Sequence, residues 1–136
     1  MTETSALPAV VDIQAAIAPL PVLKGRRPDS PASDTDPVFA TLARSERCGI
    51  YAGSFEGESA WERHSNGDEF VQVIAGETLL TILTDAGRAE LRLGAGMVTM
   101  VPRGCWHKFQ SPAGVTVLTM TPTPTDHSMA EDPRAP

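Results

Sequence analysis

ERHSNGDEFVQVIAG, running from Glu62 to Gly76, is the stretch on which the reading of this chain turns. Strand side chains alternate between faces, so Glu62 and His64 point one way while Trp61 and Arg63 point the other. A Ser65-Asn66-Gly67 turn follows, after which Glu69 stands in phase with Val71 and Val73. An apolar interior that receives a carboxylate beside an imidazole must neutralise them or coordinate something. A later stretch, GMVTMVPRGCWHKFQS from Gly96 to Ser111, carries His107 in phase with Cys105 and Phe109. Taken singly, each residue has an ordinary reading. A lone strand histidine is commonly a satisfied structural residue, and Glu62 next to Arg63 makes an unremarkable surface pair.

The sequence on either side has the same grain. Short strands are expected at Val38–Arg44, Gly49–Phe55, Ser59–His64, Glu69–Ile74, Glu77–Thr84, Arg88–Leu93, Met97–Val101, Trp106–Gln110 and Val115–Thr121. Turn residues separate them: Glu56-Gly57, Asn66-Gly67, Asp85-Ala86-Gly87, Gly94-Ala95-Gly96, Arg103-Gly104 and Pro112-Ala113-Gly114. No helical period interrupts residues 38–121. The expected class is all-β, a jelly-roll barrel or sandwich.

Ten of the twelve prolines fall outside residues 38–121. Proline cannot donate to a sheet ladder, so the ends read as irregular arms: residues 1–37, the barrel at 38–122, and an acidic tail at 123–136. The arms hold eight Asp/Glu against four Lys/Arg, leaving nine against seven in the middle. RRPDSPASDTDP, Arg26 to Pro37, reads as loop or disorder. Val10 to Ile17 reads as a short helix with Asp12 near its start and Pro19 ending it.

Composition bounds the function. At 136 residues the chain makes one domain, and its 41% hydrophobic and 21% charged content is that of a globular protein. No apolar run approaches the roughly 20 residues of a membrane span, and no basic segment precedes the first apolar residues as in an export leader. A net charge of −6 argues against a nucleic-acid surface. The one basic cluster, Lys24-Gly25-Arg26-Arg27, reads as a solvated linker. Cys48 and Cys105 lie far apart, which fits two reduced thiols in a cytoplasmic protein.

Together the two quoted stretches resemble the two cupin motifs. Glu62–Gly76 follows the first motif (His-x-His, four residues, Glu, six residues, Gly), with Glu62 in place of the leading histidine. Gly96–Ser111 follows the second (Gly, five residues, Pro-x-Gly, two residues, His, three residues, Asn), with Gly96, Pro102, Gly104 and His107 in place and Ser111 for the closing asparagine. The resemblance implies a cupin-type double-stranded β-helix with a divalent metal inside its mouth. Carried over by position, the ligands are His64, Glu69 and His107.

Glu62 stays open between three roles. It is a fourth ligand in a mixed N/O set that suits Fe, Mn, Ni or Zn. Alternatively it is a catalytic general base, or an acceptor for substrate. In the third reading the pocket has lost its metal and Glu62 bonds to an arginine or backbone. Two function classes follow: a metal-dependent enzyme of dioxygenase, isomerase or lyase type acting on a small organic substrate, or a non-catalytic small-molecule binding or sensing module.

Among the remaining residues, Cys105 is a pocket thiol or a small buried hydrophobe. Asp68 caps a turn. Trp61 and Trp106 pack against an arm or a second subunit, and Met97, Met100 and Met120 fill the core. His127 is a solvated tail residue rather than a lid. Arg63 and Arg103 are the candidate positive residues of the pocket. Exposed sheet edges in a small barrel, and the family resemblance, point to a homodimer.

Overall fold

Strands account for most of the chain in the computed structural model, which describes residues 8–135. Residues 1–7, on which the expectation about an export leader partly rests, and Pro136 of the tail lie outside the described residues. The elements are helix α1 (Ile13–Ile17), β1 (Leu23–Arg26), α2 (Ala32–Thr35), a 3-10 turn (Asp36–Val38), β2 (Phe39–Arg44), β3 (Cys48–Glu58) and β4 (Trp61–His64). Then come β5 (Glu69–Thr84), β6 (Gly87–Gly94), β7 (Val98–Val101), β8 (His107–Pro122) and β9 (Thr125–Ser128). All nine strands belong to one hydrogen-bonded sheet, with the path β1-β3-β8-β4-β9, β2 added to β3, and β5 joining β8 to β6 and β7. The class is all-β, as the sequence implies.

Two pairs of expected strands are each one long strand. Glu69–Ile74 and Glu77–Thr84 join as β5, and the expected strands at 106–110 and 115–121 join as β8, which begins at His107. The glycines between them do not turn the chain back; they bend it. Gly76 adopts φ +74° and Gly114 φ +97°, and the pairing of β5 with β8 shifts register on either side of Gly76. A Cβ on Gly76 would sit 2.3 Å from the Gly114 carbonyl oxygen, so the close crossing of the two bends admits only glycine there.

The arms also differ from expectation, because each adds a strand to the sheet. In the first arm, β1 pairs in parallel with β3, with Leu23 opposite Phe55 and Arg26 opposite Gly57. Gly57, at φ +119°, permits this: a Cβ would lie 2.2 Å from the Arg26 carbonyl oxygen. In the tail, β9 pairs with all four residues of β4. The stretch expected to be loop or disorder holds α2 and the 3-10 turn. The first helix is as expected, with the Asp12 side chain accepting from Ala15 N at 3.0 Å as its cap.

Phe55, Val71, Val73, Leu80, Phe109 and Val117 lie at the centre of the core, with Phe55 and Phe109 packed edge-on at a ring separation of 6.4 Å. Val71 and Val73 are fully buried on the face that also carries buried Glu69. The methionines expected in the core face outward instead. Met100 and Met120 both stand opposite Phe70, whose parity is that of the outer face, and they are 52% and 40% exposed; Met97 is exposed as well. Trp61 is buried against the tail, its indole N–H donating to the Glu131 carbonyl and Lys108 lying over its ring. Among the described residues, no helix is long and apolar enough to cross a membrane.

Candidate metal centre

Strand register brings the polar residues together. Glu62 on β4 stands opposite His107 on β8, and directly opposed antiparallel residues share a face. His64 lies two residues along the same strand. Glu69 opens β5, held in place by Val101 across on β7. Donor atoms of Glu62, His64 and His107 all lie within 4.8 Å of one another. Glu69 reaches between the two histidines, with Oε2 3.3 Å from His64 Nε2 and Oε1 3.0 Å from His107 Nε2. All four residues expected at the site therefore converge. Ligands about 2.1 Å from one ion stand roughly 3 to 4 Å apart, and the contacts of Glu69 with the two histidines are of that size.

The distances to Glu69 are those of charge-assisted contacts within the cluster, and none of these inner atoms meets a partner outside it. His64 Nε2, His107 Nε2 and Glu69 Oε1 are buried with no hydrogen-bond partner. Buried polar atoms left in this state are uncommon and costly. The outer atom of each same side chain, by contrast, is held. His107 Nδ1 lies 3.1 Å from the Cys105 carbonyl, an acceptor only, so Nδ1 carries the proton and neutral His107 presents a lone pair at Nε2. His64 Nδ1 lies 3.0 Å from Thr125 Oγ1 on β9, and Thr121 donates to Glu69 Oε2 at 2.6 Å. Outer partners that fix ring orientation and leave the inner nitrogens free are the support a metal ligand needs.

The electrostatics couple the buried groups to one another. Burial pushes the Glu69 carboxyl up, but the imidazoles of His107 and His64 outweigh it and hold the group down at about 2. Burial pushes His107 down, but contact with Glu69 and the charge of Glu62 raise it above its ordinary value. A buried carboxylate between two imidazoles is balanced either by protons on the rings or by an ion among them. Two imidazoles and two carboxylates fit a divalent ion of intermediate hardness.

The centre opens into a cavity of about 420 Å³, walled by Phe39, Phe55, Phe109 and Val117, with Glu62 and Glu69 on its floor. Several sequence expectations change here. Arg63 faces away from the cavity, pairing with Asp126 at 2.9 Å and stacking on Trp106. Arg103 also stays outside it; its backbone N–H donates to Asp68, which caps the turn as expected. Cys105 precedes β8, so strand alternation does not extend to it, and it packs beside the core outside this cavity. His127 is exposed yet lines the cavity, because β9 sets it opposite Glu62. Arg26, expected in a solvated linker, also lines the cavity. Local sequence gives no sign of either placement, since strand pairing of the arms produces both. Ser111, in the closing position of the second motif, is buried and donates to Thr78 Oγ1 at 2.7 Å.

Known proteins resemble the chain. It is 32% identical over 110 residues to an acireductone dioxygenase of Rhodopseudomonas palustris, covering 81% of this chain and 61% of that protein. The chain thus spans about 61% of the length of the curated relatives it matches. A cupin superfamily protein from Desulfitobacterium hafniense superposes with TM-score 0.55 at 25% identity, over 64% of this chain and 77% of that one. Hydroquinone 1,2-dioxygenase from Sphingomonas sp. TTNP3, with 4-hydroxybenzoate bound, superposes with TM-score 0.54 at 19% identity, over 61% and 64% of the two chains, a likeness of fold. The Cupin domain family model matches residues 53–121, which include every residue of the four-membered cluster. The chain belongs to the cupin family.

Proposed function

We propose that the protein is a metal-dependent enzyme of dioxygenase type acting on a small organic substrate, with one divalent ion held by Glu62, His64, Glu69 and His107. The observation that carries this reading is the set of three buried atoms, His64 Nε2, His107 Nε2 and Glu69 Oε1, that face one another with no partner outside the cluster, on side chains whose outer atoms are all fixed. Nothing in an ordinary packed core requires that combination. The likeness to acireductone dioxygenase supports the reaction class. Fe, Mn, Ni and Zn all suit the donor set. Bound there, such an ion supplies Lewis-acid polarisation of a substrate oxygen and, where redox-active, one-electron chemistry with O₂.

The chain's own residues supply the rest. Phe39, Phe55 and Phe109 wall the cavity with apolar surface and limit water around the reacting groups. Glu62 is less buried than the other three and borders the cavity, so it is placed both to ligate and to accept a substrate proton as general base. The two roles separate by substitution. As a ligand, Glu62→Ala lowers metal affinity sharply and Glu62→His keeps metal; as a base alone, Glu62→Ala keeps metal while turnover collapses.

Elemental analysis of protein purified without chelator, followed by O₂ uptake with the metal found, tests the reading. Absence of stoichiometric metal would instead favour a small-molecule binding module. We further infer a homodimer that closes the outer row Met100, Phe70, Met120 and Ile50, which crosses β7, β5, β8 and β3. Light scattering at micromolar concentration checks it, and a monomer mass refutes it. Two free cysteines fit a reducing cytoplasm.

A further inference from the structure

We propose that the cavity binds a small carboxylate, clamped by Arg26 above the Glu62, His64, Glu69 and His107 cluster. For its charge balance this rests on the metal reading just given. Arg26 comes from the N-terminal arm, where β1 lies against Gly57, and it lines the cavity together with Glu62 and Glu69 of the cluster. Its guanidinium carbon lies 4.5 Å from the centroid of Phe55 and 5.8 Å from that of Phe39.

Stacking covers a face of the planar group and leaves its in-plane N–H donors, whose fork matches a carboxylate. Among the described residues, no carboxylate lies within ion-pairing distance of Arg26 and no side chain or backbone oxygen accepts from its guanidinium. The charge of Glu62 acts on the guanidinium from beyond salt-bridge distance, and donors that meet no protein acceptor are free to take an anion.

The charges agree. Once a divalent ion offsets Glu62 and Glu69, the lining holds Arg26 and Arg44 against Asp36, a surplus of one positive charge. A volume of about 420 Å³ between Phe39, Phe55 and Phe109 has room for a ring-sized body, so the fitting ligand is a compact monoanion with an apolar part.

Benzoate and its neutral counterpart benzamide serve as probes, titrated by calorimetry into wild type, Arg26→Ala and Arg26→Lys, with metal content measured on the same preparations. Wild type should bind benzoate at least about tenfold more tightly than benzamide. Arg26→Ala should abolish that preference and Arg26→Lys restore part of it, with metal per chain equal in all three. Equal benzoate affinity in wild type and Arg26→Ala, or no benzoate binding to wild type, overturns the proposal even where metal is bound. A benzoate preference that depends on Arg26 in protein carrying no metal supports the carboxylate clamp while refuting the metal reading.

Discussion

The two motif-bearing stretches and the two arms obey different rules. In Glu62–His64, Glu69–Val73 and His107–Phe109 the side-chain period of two is enough to say which residues meet, because each strand is paired on both sides and its faces are fixed. In the arms the local pattern is silent. Proline and charge make residues 21–37 and 123–135 look like solvated chain, yet each contributes a strand and a side chain to the cavity, Arg26 from one and His127 from the other. The Glu62, His64, Glu69 and His107 cluster thus belongs to the motif-bearing strands, whereas the arms add Arg26 and His127 to a cavity otherwise walled by Phe39, Phe55, Phe109 and Val117. A shared centre with variable ends is one way a single fold takes different substrates.

The comparison is broken or sharpened by substitutions on either side of it. The largest effect on stability belongs to the centre: Leu80→Ala, at a fully buried position, should cost about 2–5 kcal/mol in chemical denaturation, since both transfer energy and a cavity are at stake. A cost below about 1 kcal/mol would mean that the two long strands do not share one packed interior.

Next comes the tail's contribution to the centre. Thr125→Val removes the hydroxyl beside His64 Nδ1 and keeps the shape, so metal affinity should fall about 10- to 100-fold by competition with a chelator. An unchanged affinity would confine the tail to packing.

The smallest effect is at the outer face of the same strand pair. Arg63→Met removes the pair with Asp126, in which both side chains are about 40% exposed, and should cost no more than about 1 kcal/mol with metal content unchanged. A loss of metal there would place Arg63 in the centre after all.

Much of the site is legible in the sequence. Alternation sets Glu62 and His64 on one face, the cupin resemblance implies the set with Glu69 and His107, and all four meet. Three misreadings have definite causes. Pro112-Ala113-Gly114 reads as a turn because glycine with positive φ is usual in turns, but a bend inside a long strand needs it too. Met100 and Met120 were assigned inward by hydrophobicity, although their strand parity, set by Phe70, places them outside. Arg26 and His127 could not be located at all, since their position depends on which strand the arms join.

Bound metal per chain, measured on wild type and His107→Ala purified side by side without chelator, tests the central claim most directly. His107 is fully buried, opposite Glu62 and in contact with Glu69, so it has no substitute within the cluster. The predicted result is close to one divalent ion per wild-type chain and almost none in His107→Ala, with both proteins folded by circular dichroism. Equal occupancy in the two would contradict the account, whatever the other substitutions show.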